Sequence, residues 1–123
     1  MGVRLIKISV IYFVIGVIIG YVMSIVHDHT LTGVHVHINL LGWTALTLAG
    51  IIYYLFPKLA ANKLGLFHFW LHNLGLPIMM VSLTAMLLTN NTAFTGGVAV
   101  GATMILIGVL LFAFNVVKNL KLD

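Results

Sequence analysis

The sequence predicts an all-α, polytopic membrane protein with four transmembrane helices. Of its 123 residues, 62% are hydrophobic and only 7% are charged, whereas about a quarter of the residues in soluble proteins are charged. Four apolar stretches each approach the roughly 20 residues with which a helix crosses about 30 Å of hydrocarbon. We expect one transmembrane domain over residues 1–123, with helices at about 6–26, 34–56, 64–88 and 97–117.

The first stretch follows two basic residues, Arg4 and Lys7, as the apolar region of a signal peptide does. It is longer than the roughly 7–15 residues of such a region, and no cleavage site of small residues follows it before His27. We therefore interpret it as a retained transmembrane helix.

The second and third stretches carry aromatic and proline signals. The second ends with Tyr53 and Tyr54, which fit the belt of aromatic residues at a membrane–water interface. The third contains Pro77, and because proline removes a backbone hydrogen bond, we expect a kink there.

Small residues recur one helical turn apart in the first and fourth stretches: Gly16, Gly20, Ser24, Gly97 and Gly101. Such residues allow helix backbones to approach closely. We favour ordinary packing within the bundle over contact between copies. The connections between the four stretches are short, so successive helices should pack as antiparallel neighbours.

The basic residues predict the orientation. In an antiparallel arrangement all six fall on one side, which the positive-inside rule makes cytoplasmic. Both termini are then cytoplasmic, and the protein is a multi-pass protein of a cell membrane, for which a prokaryotic plasma membrane is expected. Because these residues are scattered singly, the net charge of +4 indicates no nucleic-acid partner. They are Arg4, Lys7, Lys58, Lys63, Lys118 and Lys121.

The chain has no cysteine. This excludes disulfides, iron–sulfur clusters, zinc–thiolate sites and haem attached through Cys-x-x-Cys-His. A haem here would be b-type, held without a covalent link, and its iron would be bound by His or Met.

His35 and His37 are the main candidate ligands, because a polar residue inside an apolar spanning segment indicates function. On a helix they are about 200° apart, so they leave from nearly opposite faces. One helix therefore cannot bring both imidazoles to the same metal ion, but it can provide one ligand to each of two sites. Haem iron is the metal we expect, since copper or zinc needs three or four converging ligands. Asn39, one turn from His35, is a candidate second partner.

His68 and His72 are one turn apart on the third helix. We expect the level of His72 in the membrane to differ from that of His37 by roughly 15–20 Å, too far for a shared haem iron. An interhelical hydrogen bond or a water-filled pocket is as well supported as a second functional site, such as a quinone or proton contact. His27 and His29 lie in the outer loop, where histidines are usually just solvated.

Two stretches resemble helices of the haem–copper oxidase catalytic subunit, a superfamily that includes nitric oxide reductase. In its tenth helix a His-x-His pair precedes a Gly-punctuated apolar helix ending in aromatics and Pro, as in HVHINLLGWTALTLAGIIYYLFP. The start of its eleventh helix resembles FHFWLHNLGLP. That subunit consists of three four-helix arcs, and this chain looks like one arc.

The resemblance implies that His35 and His37 each face a different haem. In the family's tenth helix the first His of the pair binds the high-spin haem and the second binds the low-spin haem. Three copies assembled like the arcs could hold one haem at each interface, between His35 of one chain and His37 of its neighbour. We therefore expect a homo-oligomer, with a trimer favoured.

The chain also departs from the family. It has no adjacent His-His pair for the copper site, and Arg4 is its only arginine, on the side opposite the haems. Propionates would need His27, His29, Asn90, Asn91 or water. Copper, oxygen reduction and proton pumping are therefore not expected.

Three functions follow as hypotheses. The first is electron transfer or another redox role by bis-His haem b, with a redox partner or a quinone; any catalysis would be of the oxidoreductase type. The second is a sensor of NO, CO or O2, or a haem-handling protein, with one labile imidazole. The third is a cofactor-free accessory subunit of a respiratory oxidase.

Overall fold

The computed structural model describes residues 1–122, and all regular secondary structure in this range is helical. Four helices are long and apolar enough to cross a membrane, which confirms the predicted all-α class and the four candidate spans. Each predicted boundary lies within four residues of the observed one. The helices are α1 (Gly2–Val26), α2 (Thr32–Leu55), α3 (Pro57–Ala61), α4 (Lys63–Thr89) and α5 (Thr95–Asn119), with a 3-10 turn at Thr92–Phe94.

Local signals account for the ends of the long helices. α1 and α4 end at His27 and Asn90, whose φ angles of 54° and 51° are left-handed, a common way to finish a helix. α4 begins after Asn62, whose side chain accepts a hydrogen bond from the Gly65 N–H, as an N-cap residue does. α4 continues through Pro77 to Thr89 as one helix.

The most extensive contacts between long helices are those of α1 with α2 and of α4 with α5, and α2 makes a smaller contact with α4. Neighbours are antiparallel: Gly2 near the start of α1 lies against Gly50 near the end of α2, and Gly20 lies against His35. We call the end that carries the six basic residues the basic end. The other end, with the connections at 27–31 and 90–94, is the loop end.

Glycines allow the close packing of α5 on α4. A Cβ atom placed on Gly101 would lie 2.5 Å from the Met79 backbone nitrogen and 2.6 Å from the Gly75 carbonyl oxygen. Gly97 faces the Ser82 side chain in the same way. These small residues therefore pack inside the bundle, as expected.

Two buried clusters form the core. The cluster nearer the loop end contains Val34, Ile38, Leu76, Met79, Met80 and Ile105. The cluster nearer the basic end contains Leu5, Leu46, Ala49, Tyr53 and Leu59. Large apolar side chains on the outer faces of the long helices remain exposed, as expected for surfaces that meet lipid or another chain.

α2 is not a regular α-helix. It is α-helical over Thr32–His37, π-helical over Ile38–Ala45 and α-helical again over Leu46–Leu55. A π-helical segment has wider turns and is often found at functional sites. The sequence pattern did not predict it, but His35 and His37 both precede it, so their 200° separation is unaffected.

Candidate functional site

His35 lies between α1 and α2, with its ring held by a backbone carbonyl of α1. Its Nδ1 is 2.7 Å from the Gly16 carbonyl oxygen. A carbonyl oxygen only accepts hydrogen bonds, so Nδ1 carries the proton and donates it. In the neutral ring Nε2 then has a free lone pair. Gly20 makes room for the ring, because a Cβ atom there would lie 2.7 Å from His35 Cε1.

Asn39 lies beside the same ring nitrogen. Its side-chain Nδ2 is 3.3 Å from His35 Nδ1, and its Oδ1 is buried without a hydrogen-bond partner among residues 1–122. Since Nδ1 already carries a proton, the amide is better placed with Oδ1 toward the ring N–H. The structure thus puts Asn39 next to His35, where it can orient the imidazole as a second acceptor.

His37 faces the other side of α2. Its Nδ1 donates to the Gly33 carbonyl oxygen at 2.6 Å, one turn earlier in the same helix, and this also leaves Nε2 with a free lone pair. The exposed ring borders an apolar groove of about 300 Å³ between α2, α4 and α5. The groove is lined by His37, Leu41, Met79, Ala102, Ile105, Leu106 and Val109.

The two imidazoles therefore lie on different sides of α2, His35 against α1 and His37 toward α4 and α5. Histidines that bind a metal through one ring nitrogen typically donate the other N–H to a backbone carbonyl or a carboxylate. Both rings have this arrangement, and apolar side chains surround the groove at His37. These residues fit axial binding of haem iron, with one ligand on each side of the helix.

His68 and His72 form a second, buried cluster on α4. Tyr53 Oη lies 2.8 Å from His68 Nδ1, His68 Nε2 lies 3.3 Å from His72 Nδ1, and His72 Nε2 lies 2.9 Å from the Leu41 carbonyl oxygen. This carbonyl belongs to the π-helical segment of α2. Of the alternatives open from the sequence, the structure therefore has interhelical hydrogen bonds. His72 lies beside Leu41, one helical turn from His37 on α2, so the predicted difference of roughly 15–20 Å in level between His72 and His37 was wrong.

The Leu41 carbonyl oxygen determines which ring nitrogen carries the proton in each of the two histidines. His72 must donate from Nε2 to Leu41, so its Nδ1 accepts. His68 then donates from Nε2 to His72 and accepts at Nδ1 from the Tyr53 hydroxyl. All ring nitrogens are used, so this pair offers no free lone pair to a ligand, in contrast to His35 and His37.

The interpretation of Tyr53 as an interfacial aromatic residue was wrong. Tyr53 is 2% exposed, whereas its neighbour Tyr54 is 64% exposed. Tyr53 packs edge-on against Phe112 of α5, and the Asn115 side chain of α5 also hydrogen-bonds to it. Hydrophobicity alone could not separate the two tyrosines, because the deciding factor is which face of α2 meets α4.

In the connection between α1 and α2, Asp28 does not group with His27 and His29 as metal ligands in the part of the chain that the structure describes. The Asp28 carboxylate instead accepts hydrogen bonds from the Thr30 hydroxyl at 2.5 Å and the Thr30 N–H at 3.0 Å. These bonds, in that order of importance, hold the pKa of Asp28 below its ordinary value. Within residues 1–122, no three His, Cys, Asp or Glu side chains are grouped as ligands of a metal ion.

No protein family, no curated protein and no solved structure gives a significant match to this chain.

Proposed function

We propose that this chain is a membrane b-type haem protein in which bis-His haem is held between subunits for electron transfer or another redox role. One observation carries the proposal: two imidazoles on opposite sides of α2 each donate Nδ1–H to a backbone carbonyl and keep Nε2 free. This is the arrangement that metal-binding histidines typically have. Two such rings on one helix need ligands from other chains to complete two sites.

The two ligand-bearing sides of α2 suggest a closed ring of copies. Within one chain α1 packs on α2 and α4 packs on α5, and we propose that this unit is arranged in the assembly as the arcs of the haem–copper oxidase catalytic subunit are. Three arcs related by threefold symmetry would close into a ring. Each interface would then place His35 of one chain and His37 of the next on the two faces of one haem, with no copper site.

The haem, when bound, would supply a one-electron couple between ferric and ferrous iron. The protein's own residues would bind and protect it. His35 of one chain and His37 of the next would hold its iron, which leaves no site on the iron for oxygen. The Gly16 and Gly33 carbonyls hold the rings in orientation, and the apolar walls of the groove exclude water.

The surroundings of the proposed site supply few charges. Propionates directed to the loop end would meet His27, His29, Asn90, Asn91 or water. The positive-inside rule then places the basic end in the cytoplasm and the haems in the outer half of a cell membrane. A redox protein or a quinone at the surface would exchange the electrons.

The test is the visible spectrum of protein purified from haem-replete cells, together with the haem-to-chain ratio. We expect about one haem per chain, with the sharp reduced bands of six-coordinate low-spin iron. His35→Ala and His37→Ala should each remove these bands, and Tyr54→Phe, an exposed position at the basic end of the same helix, serves as the control. Colourless wild-type protein would refute the proposal and favour a cofactor-free accessory subunit.

Carbon monoxide separates the two haem functions. With both axial positions held by imidazole, the spectrum of the reduced protein should not change on addition of carbon monoxide. A shifted spectrum would show that one imidazole leaves the iron, and would replace electron transfer with gas binding or haem handling.

A further inference from the structure

A cleft between α1 and α4 opens at the basic end of the bundle, on residues that have no role in the proposed haem site. It has a volume of about 360 Å³ and is lined by Met1, Arg4, Leu66, Phe69 and Trp70. This volume lies within the range of about 300–1,000 Å³ that is typical of small-molecule sites. We propose that the cleft binds the headgroup of one anionic phospholipid, with Arg4 holding its phosphate.

The packing of the helices leaves this cleft open. α1 packs on α2 and α4 packs chiefly on α5, whereas within residues 1–122 α1 and α4 make no extensive contact with each other. Leu5 of α1 is fully buried in the core cluster nearer the basic end. Arg4, the residue before it, is exposed and borders the cleft at the edge of that cluster.

The charge at the cleft favours an anion. Arg4 is the only arginine of the chain, and its guanidinium presents five N–H donors in a planar fork that matches two oxygens of a phosphate. Among residues 1–122 the single acidic residue is Asp28, in the connection at the loop end. No side-chain carboxylate in this range can therefore neutralise Arg4.

Two aromatic rings form the α4 wall of the cleft. Phe69 and Trp70 are in edge-on contact, with ring centroids 5.4 Å apart and an angle of 87° between the rings. Phe69 packs on the core cluster nearer the basic end, while Trp70 is 53% exposed. An indole has an apolar body and one N–H donor, and tryptophan is enriched at the headgroup level of membranes. Trp70 is therefore suited to donate a second hydrogen bond to the same headgroup.

The apolar surface beside the cleft distinguishes a lipid from a soluble anion. Leu66 is 48% exposed. Ile8, one turn after Arg4 on α1, is half-buried against the same core cluster as Phe69. The acyl chains of a bound lipid would meet these side chains, whereas free phosphate would not. Anionic lipids also gather where a membrane protein carries basic residues, so an anionic phospholipid fits the cleft best.

A simpler role for Arg4 is the competing explanation, because any basic residue at this end contributes to the orientation of the chain. That role depends on charge alone. Lysine would then replace arginine without effect, and the aromatic wall would not matter. A lipid site instead depends on the guanidinium fork and on Trp70.

The experiment is native mass spectrometry of the whole chain in detergent, with phosphatidylglycerol, phosphatidylcholine or inorganic phosphate added. The variants are Arg4→Gln, Arg4→Lys and Trp70→Ala. Lys118→Gln is the control for charge, because Lys118 lies at the same end of the bundle but over the Phe114 ring of α5, 5.3 Å from its centroid. Phe67→Ala, an exposed aromatic position of α4 outside the cleft, is the control for Trp70→Ala.

We expect the wild-type protein to retain one phosphatidylglycerol per chain in preference to phosphatidylcholine. Retention should fall about tenfold in Arg4→Gln and about fivefold in Trp70→Ala, as for the loss of a charged and of a neutral hydrogen bond. Arg4→Lys should lie between Arg4→Gln and the wild type, and both controls should match the wild type.

Equal retention of the two lipids, or full retention in the Arg4→Lys and Trp70→Ala variants, would overturn the proposal. Displacement of the lipid by inorganic phosphate at the same concentration would assign the cleft to a soluble anion instead. The cleft contains neither His35 nor His37, so the outcome is independent of whether the protein binds haem.

Discussion

Each helical histidine in this protein has its proton placed by a hydrogen-bond acceptor that the fold provides. In His35 and His37 the acceptor is a backbone carbonyl at Nδ1, which leaves Nε2 free. In His68 and His72 both ring nitrogens take part in hydrogen bonds. The same side chain is therefore available to a ligand in one pair and part of a closed network in the other.

In the connection between α1 and α2, Thr30→Ala should raise the pKa of Asp28 toward its ordinary value. The variant removes the hydroxyl hydrogen bond, which is the main cause of the lowered pKa. An NMR pH titration of the Asp28 carboxyl carbon measures the change. Thr32→Ala, which loses a hydrogen bond to the His29 carbonyl instead, should leave the pKa where it is.

The sign of the linked stability follows from the direction of this shift. A carboxylate whose pKa is lowered by folding stabilises the folded state above its unfolded pKa, and this contribution is lost as pH falls through the folded pKa. The wild-type protein and Thr30→Ala should therefore differ above the ordinary pKa of Asp28 and converge in stronger acid. A difference that persists in strong acid would show another origin.

At the scale of the helices, the packing of α5 on α4 depends on glycine. Gly101→Ala would place a methyl group 2.5 Å from the Met79 backbone nitrogen, and backbone cannot move away as a flexible side chain can. We expect a loss of about 1–3 kcal/mol in the free energy of unfolding, as for other overpacked sites. Thermal unfolding in detergent measures it.

Gly96→Ala provides the control in the same helix. Nothing lies within 4 Å of a Cβ atom at this position, and alanine favours helix over glycine by up to about 1 kcal/mol. The variant should be neutral or slightly stabilised. Equal effects of the two substitutions would mean that α4 and α5 do not pack as closely as described.

The sequence predicted the helices well because hydrophobic length is a strong signal in a membrane protein. It could not predict the π-helical segment Ile38–Ala45, since the apolar pattern is the same for α- and π-turns. It also misplaced Tyr53, because burial of one of two adjacent tyrosines depends on contacts with α4 and α5. The spacing of His35 and His37 was informative for a different reason: helical geometry alone fixes their relative direction.

At the scale of the whole molecule, the proposed ring makes one haem depend on two chains. In an assembly of His35→Ala chains or of His37→Ala chains, every interface lacks one of its two haem ligands. Neither variant therefore binds bis-His haem alone. When the two variants are co-expressed, an interface is complete only where His35 of a His37→Ala chain meets His37 of a His35→Ala chain. Random assembly in a closed ring should restore about one quarter of the wild-type content.

The spectrum of the co-purified chains gives the result, and the double variant His35→Ala with His37→Ala, mixed with either single variant, is the control. No recovery on mixing would mean that both ligands of a haem come from one chain or that haem binds elsewhere. Mass measurement of the complex in detergent should give three chains.

The π-helical segment also determines how the loop-end half of α2 is rotated relative to its basic-end half. Each added or removed residue turns one half of a helix by about 100° relative to the other. Shortening Ile38–Ala45 by a single residue would therefore swing the pair at His35 and His37 away from Gly16 and the groove, while Tyr53 kept its place against α4. The length of this short segment thus determines the direction of His35 and His37 relative to Tyr53 and the buried histidines that Tyr53 contacts.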